Sequence, residues 1–381
     1  MKSIRLLLRL AAICAASAPA FAANGVSPKE IVVGQSAALS GPTQALGLGM
    51  RNGLEVAFKE INDAGGIHGR TVKLVSRDDG YEPKRAGENA RALLSEDDAF
   101  LLIGCVGTPT AAEILPLASP QGAPFFAPFT GAGSLRTPYN PLIVNLRVSY
   151  AQEIERLVTL LVEGRGLKKI ACFYQDDLYG QAGLKALQAS LKKRNLEASA
   201  LGLYLRNTRD VTSALASIVP AKPEAVILVG TYGASADFIK AARKAGLADT
   251  VFCNISFVGT RALVAALGDD ADGIIISQVV PHPVGSQVPV VEAYRAALKK
   301  YSPDAEPDWI SLEGYLAGRL FGAVADRAGA DLTREAFLKA LQGPDPFDLG
   351  GLSAQFGPNR NQGFDRVYLT QVKKGKIVSL E

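Results

Sequence analysis

The chain has 381 residues, which is long enough for two domains that each bury a hydrophobic core. Its 41 Lys and Arg residues exceed its 37 Asp and Glu residues by four, and three of the positive charges lie near the N-terminus, at Lys2, Arg5 and Arg9. The rest of the chain is therefore nearly neutral and has no basic block, which argues against nucleic acid as a partner.

Residues 1–22 are predicted to be a secretory signal peptide. The apolar stretch 6–16 follows positive charges and is too short for a membrane span, and residues 20–22 form a small-x-small cleavage site after Ala22. Cys14 leaves a lipoprotein signal open as an alternative, which the branched residue before it disfavours. No later stretch is long and apolar enough to span a bilayer, so we expect an exported protein with no direct membrane insertion.

The first unit after the signal peptide has the pattern of a strand, a turn and a helix. Residues 31–33 form an apolar strand, and a Ser-Gly-Pro turn that begins at Ser40 follows. Apolar residues then recur on one helix face over 50–61, and two glycines at 65–66 suit a left-handed helix stop. Such a turn directs free backbone N–H groups past the strand end, so Ser40 is a candidate ligand-binding residue.

Strand-like and helix-like segments alternate from this unit to the end of the chain. Further strands are predicted at 71–75, 100–103, 124–127, 170–174, 197–203, 225–229, 250–253 and 273–279, with helices between them. Helices are also predicted at 290–300, 310–328 and 333–341, and a strand pair at 367–373 and 376–380. Repeated β-α units with apolar strands indicate parallel sheets with helices on both faces. Because the alternation restarts near residue 170, we predict an α/β fold with two doubly wound lobes.

Three cysteines, Cys105, Cys172 and Cys253, follow the predicted signal peptide, so they cannot all be paired with one another. Each lies within or at the end of an apolar, strand-like run, where an unpaired Cys behaves as a small buried hydrophobe. We therefore expect buried thiols, with a Cys172–Cys253 disulfide as the alternative if their strands are neighbours.

Short turns with small or polar residues follow two more strands of the predicted first lobe. Gly107 and Thr108 lie after the third strand and open a helix, and Phe129, Thr130 and Gly131 follow the fourth strand. Small residues at these turns allow a ligand to approach free N–H groups. The Thr108 hydroxyl suits either of two roles, capping the helix or bonding a ligand.

Four aromatic residues are candidates for the walls of a binding cleft, namely Tyr150, Tyr179, Tyr232 and Trp309. Tyr179 and Tyr232 follow strand ends of the predicted second lobe, whereas Trp309 begins a helix after a Pro-containing loop. Each ring suits either the hydrophobic core or contact with a ligand, and a position at a strand end favours ligand contact.

Signatures of catalysis and of cofactor binding are scarce. The two histidines, His68 and His282, lie in loop-like segments, where we expect both side chains to be exposed. No zinc, P-loop or nucleophile-elbow motif occurs. The glycines at 47, 49 and 53 do not have the spacing of a dinucleotide-binding motif. The acid pairs at 78–79 and 269–270 lack the other oxygen ligands of a calcium loop. We therefore expect no cofactor, no metal site and no enzyme activity.

Several segments together resemble one family. They read SGP…G…G…A…INDAGGIHGR followed by DDGYEP, and continue through 104–108, 127–135, 174–180, 230–232 and 309–316. Their order and spacing resemble type I periplasmic solute-binding proteins of ABC importers, and in particular the leucine/isoleucine/valine-binding protein family.

The resemblance implies two lobes joined by a three-segment hinge, with crossings near residues 147, 280 and 351. The N-terminal lobe would comprise 23–147 and 281–351, and the C-terminal lobe 148–280 and 352–381. It also implies a periplasmic location, a membrane permease as partner, and a monomer.

The resemblance also implies roles for individual residues. In similar proteins an α-amino-acid carboxylate docks where Thr108 and the backbone of 129–131 lie, and aromatics cover the ligand at Tyr179, Tyr232 and Trp309.

One departure from the family concerns the position of Ser256. Branched-chain amino-acid binders resemble one another in carrying an acid there, which pairs with the ammonium of the ligand. A buried ammonium without a counter-charge is costly. Unless Asp176, Asp177 or Glu313 supplies the charge, we expect a ligand without an α-ammonium, such as an aromatic or aliphatic carboxylate or an amide.

The leading hypothesis is an exported solute-binding component of an ABC importer. It would bind a small amino acid or a related organic carboxylate or amide between its lobes by hinge closure. The alternative is a ligand-sensing module of the same fold that feeds a receptor or regulator. An exported enzyme is the third hypothesis, for which the sequence offers no converging nucleophile and base.

Overall fold

A computed structural model describes residues 24–380, so the predicted signal peptide lies outside the described residues. Its first sheet contains five parallel strands in the order β2-β1-β3-β4-β5. These strands are β1 (Glu30–Ala37), β2 (Thr71–Asp78), β3 (Leu102–Ile103), β4 (Phe125–Phe126) and β5 (Ile143–Val144). The helices between them are α1 (Gln44–Asp63), α2 (Pro83–Ser95) and α3 (Thr108–Ala118).

The second sheet has seven strands in the order β14-β13-β10-β9-β8-β6-β7. Its parallel strands are β6 (Ile170–Gln175), β7 (Leu201–Tyr204), β8 (Ala225–Val229), β9 (Val251–Asn254) and β10 (Ile275–Gln278). The antiparallel edge is formed by β13 (Tyr368–Lys373) and β14 (Lys376–Ser379). The helices with this sheet are α4 (Tyr150–Val158), α5 (Leu178–Lys192), α6 (Thr212–Ile218), α7 (Tyr232–Lys244) and α8 (Thr260–Leu267).

Three later helices return to the first sheet: α9 (Pro289–Tyr301), α10 (Trp309–Ala328) and α11 (Arg334–Leu341). A small strand pair, β11 (Phe347–Asp348) and β12 (Ser353–Ala354), follows them. The backbones of α1 and α10 touch, because a Cβ on Gly53 would lie 2.0 Å from the Ser311 carbonyl oxygen. Glycine is therefore required at this crossing, which fixes α10 to the lobe of the first sheet.

We call the first sheet with α1–α3 and α9–α11 the first lobe, and the second sheet with α4–α8 the second lobe. Two parallel-sheet lobes confirm the predicted fold class. Two of the segments that join the lobes run side by side, since the Gly363 and Phe364 amides donate to the Asn145 and Leu146 carbonyls at 2.8 and 2.9 Å. The residues at which each lobe begins and ends stay a prediction.

All three cysteines of the described residues are buried and unpaired. Cys172 on β6 and Cys253 on β9 both stand in register with Ile227 of β8, which lies between them. The alternative of a Cys172–Cys253 disulfide is therefore wrong, because a whole strand separates the two thiols. Burial raises the pKa of each thiol to about 12, which makes them unreactive.

Within the described residues, no helix is both long and apolar enough to cross a membrane.

Candidate functional site

The turns that follow strands of both sheets meet at a buried boundary between the lobes, which we call the seam. Parallel strands end at one edge of a sheet, so the residues that follow them cluster there. Nine of the eleven predicted site residues are buried there, and Ser40 and Tyr232 lie nearer its rim.

A chain of three hydroxyls lies at the first-lobe side of the seam. The Oγ1 atoms of Thr108 and Thr130 are 2.7 Å apart, and Thr130 Oγ1 is 3.1 Å from Tyr150 Oη. Gly107, rather than Thr108, occupies the N-cap position of α3, and the Thr108 side chain makes no capping bond. The capping role offered for Thr108 is therefore wrong, and its hydroxyl faces other hydroxyls within the seam.

Two predicted glycines allow close packing around these hydroxyls. A Cβ on Gly131 would lie 2.6 Å from Tyr150 Cδ1, and one on Gly107 would lie 2.7 Å from Tyr81 Cε2. Gly107 also has φ of 108°, which other residues rarely adopt. The two glycines thus hold aromatic rings directly against the turns after β3 and β4.

Five aromatic rings fill the centre of the seam, with Phe257 in the middle. The Phe257 ring centroid lies 4.5 Å from that of Tyr179, 5.3 Å from Phe129, and 6.3 Å from both Tyr150 and Tyr81. All five side chains are almost completely buried. Sequence reasoning identified Phe129, Tyr150 and Tyr179 but missed Tyr81 and Phe257, although both adjoin segments that it used.

Ser256 lies at the seam beside a buried ion cluster. The Ser256 amide donates to Glu153 Oε2 at 2.8 Å, and Arg147 Nη2 donates to Ser256 Oγ. The Arg147 guanidinium is fully buried, 3.7 Å from Glu153 Oε1 and 3.6 Å from Glu313 Oε1. The sequence analysis named residue 147 only as a crossing between the lobes. The available signal was a single charged residue within the mostly apolar segment 142–148.

Burial in this cluster has a direct effect on Glu313. Removal from water raises the pKa of Glu313 to about 7, although the neighbouring Arg147 guanidinium opposes the shift. Of the three acids that sequence reasoning considered near Ser256, Glu313 is the one that lines a cavity with it. Asp177 instead caps α5, accepting from the Tyr179 and Gly180 amides.

A small cavity of about 10 Å³ lies beside Ser256. Residues of both lobes line it: Phe129, Ser256, Gln278, Val279, Val280, Trp309, Ile310 and Glu313. Trp309 Nε1 and Gln278 Oε1 are buried without a hydrogen-bond partner among the described residues. His282 packs its ring 4.8 Å from Trp309 and is partly buried, so the expectation of an exposed loop histidine is wrong there.

Polar contacts between the lobes close the other end of the seam. Arg206 places its guanidinium carbon 4.2 Å from the Tyr81 ring centroid and donates to the Tyr81 carbonyl oxygen. Asn207 Nδ2 donates to the Gly80 carbonyl at 3.2 Å. Asp177 Oδ2 lies 2.7 Å from Arg206 Nη2 and so holds the guanidinium in place. We call Arg206 and Asn207 the outer clasp.

The two remaining predicted residues lie towards the rim of the seam. Tyr232 begins α7, and its hydroxyl accepts from the Ala45 amide of the first lobe at 3.5 Å. Ser40 is exposed, and its hydroxyl donates to Asp78 Oδ2 at 2.6 Å. Ser40 thus contributes to the loop conformation after β1, outside the buried aromatic cluster.

The chain is similar to known proteins over nearly its whole length. The family model described as periplasmic binding protein matches residues 30–376. Leu/Ile/Val-binding protein homolog 3 of Brucella melitensis is 24% identical over 355 residues, covering 92% of this chain and 94% of that relative.

Two crystal structures share the fold and more than a quarter of the sequence. A possible leucine/isoleucine/valine-binding protein from Rhodopirellula baltica SH 1 is 35% identical with a TM-score of 0.88, covering 95% of this chain and 98% of its own. A substrate-binding periplasmic protein from Ralstonia solanacearum is 28% identical with a TM-score of 0.86, covering 91% and 99%. These similarities confirm the resemblance predicted from the sequence.

Proposed function

This chain belongs to the periplasmic binding protein family, and we propose that it is the exported solute-binding component of an ABC importer. Its ligand would be a small amino acid or a related organic carboxylate or amide, held at the seam between the lobes. The observation that carries this proposal is the convergence of turns from both sheets on one buried, aromatic-lined boundary. Relatives named as Leu/Ile/Val-binding proteins support the ligand class.

In the proposed mechanism the first lobe binds the ligand before the lobes close. Thr108 and Thr130 offer hydroxyls, and Gly131 offers its backbone N–H group, to a carboxylate or another acceptor. The expectation of free N–H groups is wrong for Phe129 and Thr130, whose amides donate to the Cys105 and Pro128 carbonyl oxygens at 2.8 Å. A charged acceptor strengthens such hydrogen bonds about twofold over neutral ones. The first lobe would thus orient the polar head of the ligand.

Closure then adds the second lobe. Tyr179 and Phe257 cover the apolar part of the ligand, and the outer clasp joins the turn at 80–82 to the second lobe. A ligand that contacts both lobes favours the closed state by its differential affinity for that state, so closure requires no chemical step. The closed form would be presented to a membrane permease in the periplasm, by a monomer.

We also propose that the protein is not an enzyme. The family is one of binding proteins, and the side chains of Arg147, Glu153 and Glu313 contact one another rather than forming a nucleophile with its base. His68 Nε2 is 3.1 Å from the Asp326 carbonyl oxygen, and His282 Nε2 is 3.0 Å from that of Ile377. Within residues 24–380, neither histidine ring bonds a hydroxyl or a thiol that it would activate.

Thermal melts of the protein from residue 23 onward test the proposal. The panel would contain amino acids, aromatic acids, aliphatic carboxylates and amides. A ligand at 100 times its dissociation constant stabilises the protein by about 2.7 kcal/mol, which raises the melting temperature measurably. No shift with any member would refute the ligand class. The importer role is tested by measuring uptake of the identified ligand in cells that lack this protein. Uptake at the normal rate would refute the importer role and favour a sensing module.

A further inference from the structure

We propose that Asp79 is a positioning residue for lobe closure, because it fixes the direction of the carbonyl groups that the outer clasp binds. This inference rests on the proposed function, since it concerns the closed form in which the two lobes hold a ligand. It goes beyond that function, because Asp79 lies outside the predicted ligand-binding residues and acts through the outer clasp.

Asp79 lies in the turn between β2 and α2, in which two successive residues have a left-handed backbone. Gly80 has φ of 58° and Tyr81 has φ of 65°. This conformation is rare for a bulky side chain and costs free energy, so it persists only where other contacts impose it. The Asp79 side chain makes such a contact, since Asp79 Oδ1 accepts from the Tyr81 amide at 2.8 Å.

The bond to Asp79 determines the direction of the Gly80 carbonyl. In a trans peptide the N–H and the C=O of one peptide group point to opposite sides. The Tyr81 amide faces Asp79, so the Gly80 carbonyl of the same peptide group faces away from Asp79, towards the second lobe. Asn207 Nδ2 of the outer clasp donates to this carbonyl at 3.2 Å.

The next peptide group repeats this arrangement through the Asp79 backbone. The Glu82 amide donates to the Asp79 carbonyl oxygen at 2.9 Å, so the Tyr81 carbonyl points to the opposite side. Arg206 of the outer clasp donates to it there. Asp79 thus orients both carbonyl acceptors of the outer clasp, one with its side chain and one with its main chain. A change of the Asp79 side chain therefore acts on the contact with Asn207.

The Asp79 carboxylate is itself held in place within the first lobe. Its Oδ2 accepts from Ser36 Oγ of β1 at 2.7 Å, and Asn89 Nδ2 of α2 donates to the same hydroxyl at 3.2 Å. The turn is thus fixed to β1 and α2 by contacts that do not depend on the second lobe. A contact surface that is already ordered loses less entropy when the lobes close.

The buried charge of Asp79 does not stabilise the fold. Removal from water raises the pKa of Asp79 to about 6, although the hydrogen bonds from Ser36 and Tyr81 oppose the shift. The neighbouring Asp78 carboxylate also raises this pKa, whereas the Arg85 guanidinium lowers it. An acid with a raised pKa is charged less readily in the folded protein than in the unfolded chain, so its carboxylate costs stability at neutral pH. This cost favours a role in closure over a purely structural one.

Stopped-flow measurements of ligand association and release test the inference. L-Leucine is the probe, replaced by 4-methylpentanoate if only acids without an amine stabilise the protein in the thermal melts. Asp79→Ala is expected to speed release about tenfold and to leave the association rate within about twofold of the wild type. Asp79→Asn keeps an oxygen that accepts from the Tyr81 amide, so its release rate should stay within about twofold of the wild type.

A double-mutant cycle separates positioning from a general loss of structure. Asn207→Gly removes the side chain that donates to Gly80, and glycine freely adopts the Asn207 φ of 57°. If Asp79 acts through this contact, Asp79→Ala should speed release by less than about twofold when Asn207→Gly is already present. The same effect of about tenfold in both backgrounds would mean independent roles and would overturn the inference.

Asp272→Ala is the matched control. Asp272 Oδ1 also accepts a turn amide, that of Lys374 at 2.6 Å, but it lies just before β10, whereas the seam lies at the other ends of the strands. The control should release the ligand like the wild type.

Melting curves check that each variant folds. If Asp79→Ala does not fold, Asp79→Ser replaces it, because a hydroxyl accepts from the same amide more weakly and should speed release roughly threefold. Unchanged release in the folded variant, with the ligand still bound, would overturn the inference and leave the proposed function intact. If no member of the panel binds, both fail.

Discussion

Replacement of Glu313 by Gln is expected to stabilise the protein without ligand, and to do so increasingly as the pH rises. Glu313 is almost completely buried, and its pKa is raised from 4.5 to about 7 because burial disfavours the charged form. In the unfolded chain the same group ionises near its ordinary value. Between these two values the unfolded state releases the proton first, so stability falls as the pH increases.

The magnitude follows from the size of the pKa shift. One unit corresponds to about 1.4 kcal/mol, so a shift of this size removes roughly 3 kcal/mol of folding stability once the pH exceeds about 8. Below about pH 4.5 the group is protonated in both states and has no effect. Glutamine has nearly the shape of the protonated acid, so the variant should equal the wild type at low pH and exceed it by up to about 3 kcal/mol at pH 8.

Urea unfolding of both proteins at pH 4.5, 6 and 8 measures this difference. Asp79 and Asp308, whose pKa values burial also raises to about 6, titrate in both proteins, so the comparison isolates Glu313. Glu60→Gln is the control, since Glu60 accepts from Tyr315 Oη of the same helix at 2.6 Å and pairs with Arg319 at 3.1 Å, away from Arg147. If Glu313→Gln were less stable than the wild type at pH 8, the ion pair with Arg147 would outweigh the cost of burial, and the argument that burial dominates the Glu313 pKa would fail.

Three further changes test other parts of the seam. Thr108→Val keeps the side-chain shape but removes the hydroxyl. It should weaken ligand binding by about 1–3 kcal/mol in a calorimetric titration. Unchanged affinity would show that Thr108 is not part of the site. Arg206→Gln should speed ligand release about tenfold in stopped-flow measurements with little change in the association rate, because the outer clasp forms on closure; an unchanged release rate would contradict this. Trp309 is the single tryptophan of the chain, so ligand binding should change the fluorescence of the wild type. Unchanged fluorescence while a ligand is bound would show that the ligand lies elsewhere.

The lobes and most strands were predictable because parallel strands buried on both faces are continuous apolar runs. β8 (Ala225–Val229) is fully buried along its length and matches the predicted strand residue for residue. β3 is less regular, since two residues pair where four were predicted. Pattern reasoning identifies the buried run, whereas the number of paired residues depends on the neighbouring strands.

The turns that form the site were predictable for a similar reason. Thr108, Thr130 and Tyr179 each follow an apolar strand, and parallel topology brings such residues to one edge. Partners from the opposite lobe had no such signal. Phe257 contacts Phe129 across 128 residues of sequence, and Arg147 bonds Ser256 across 109. These pairs are set by how the lobes meet, which local periodicity does not encode.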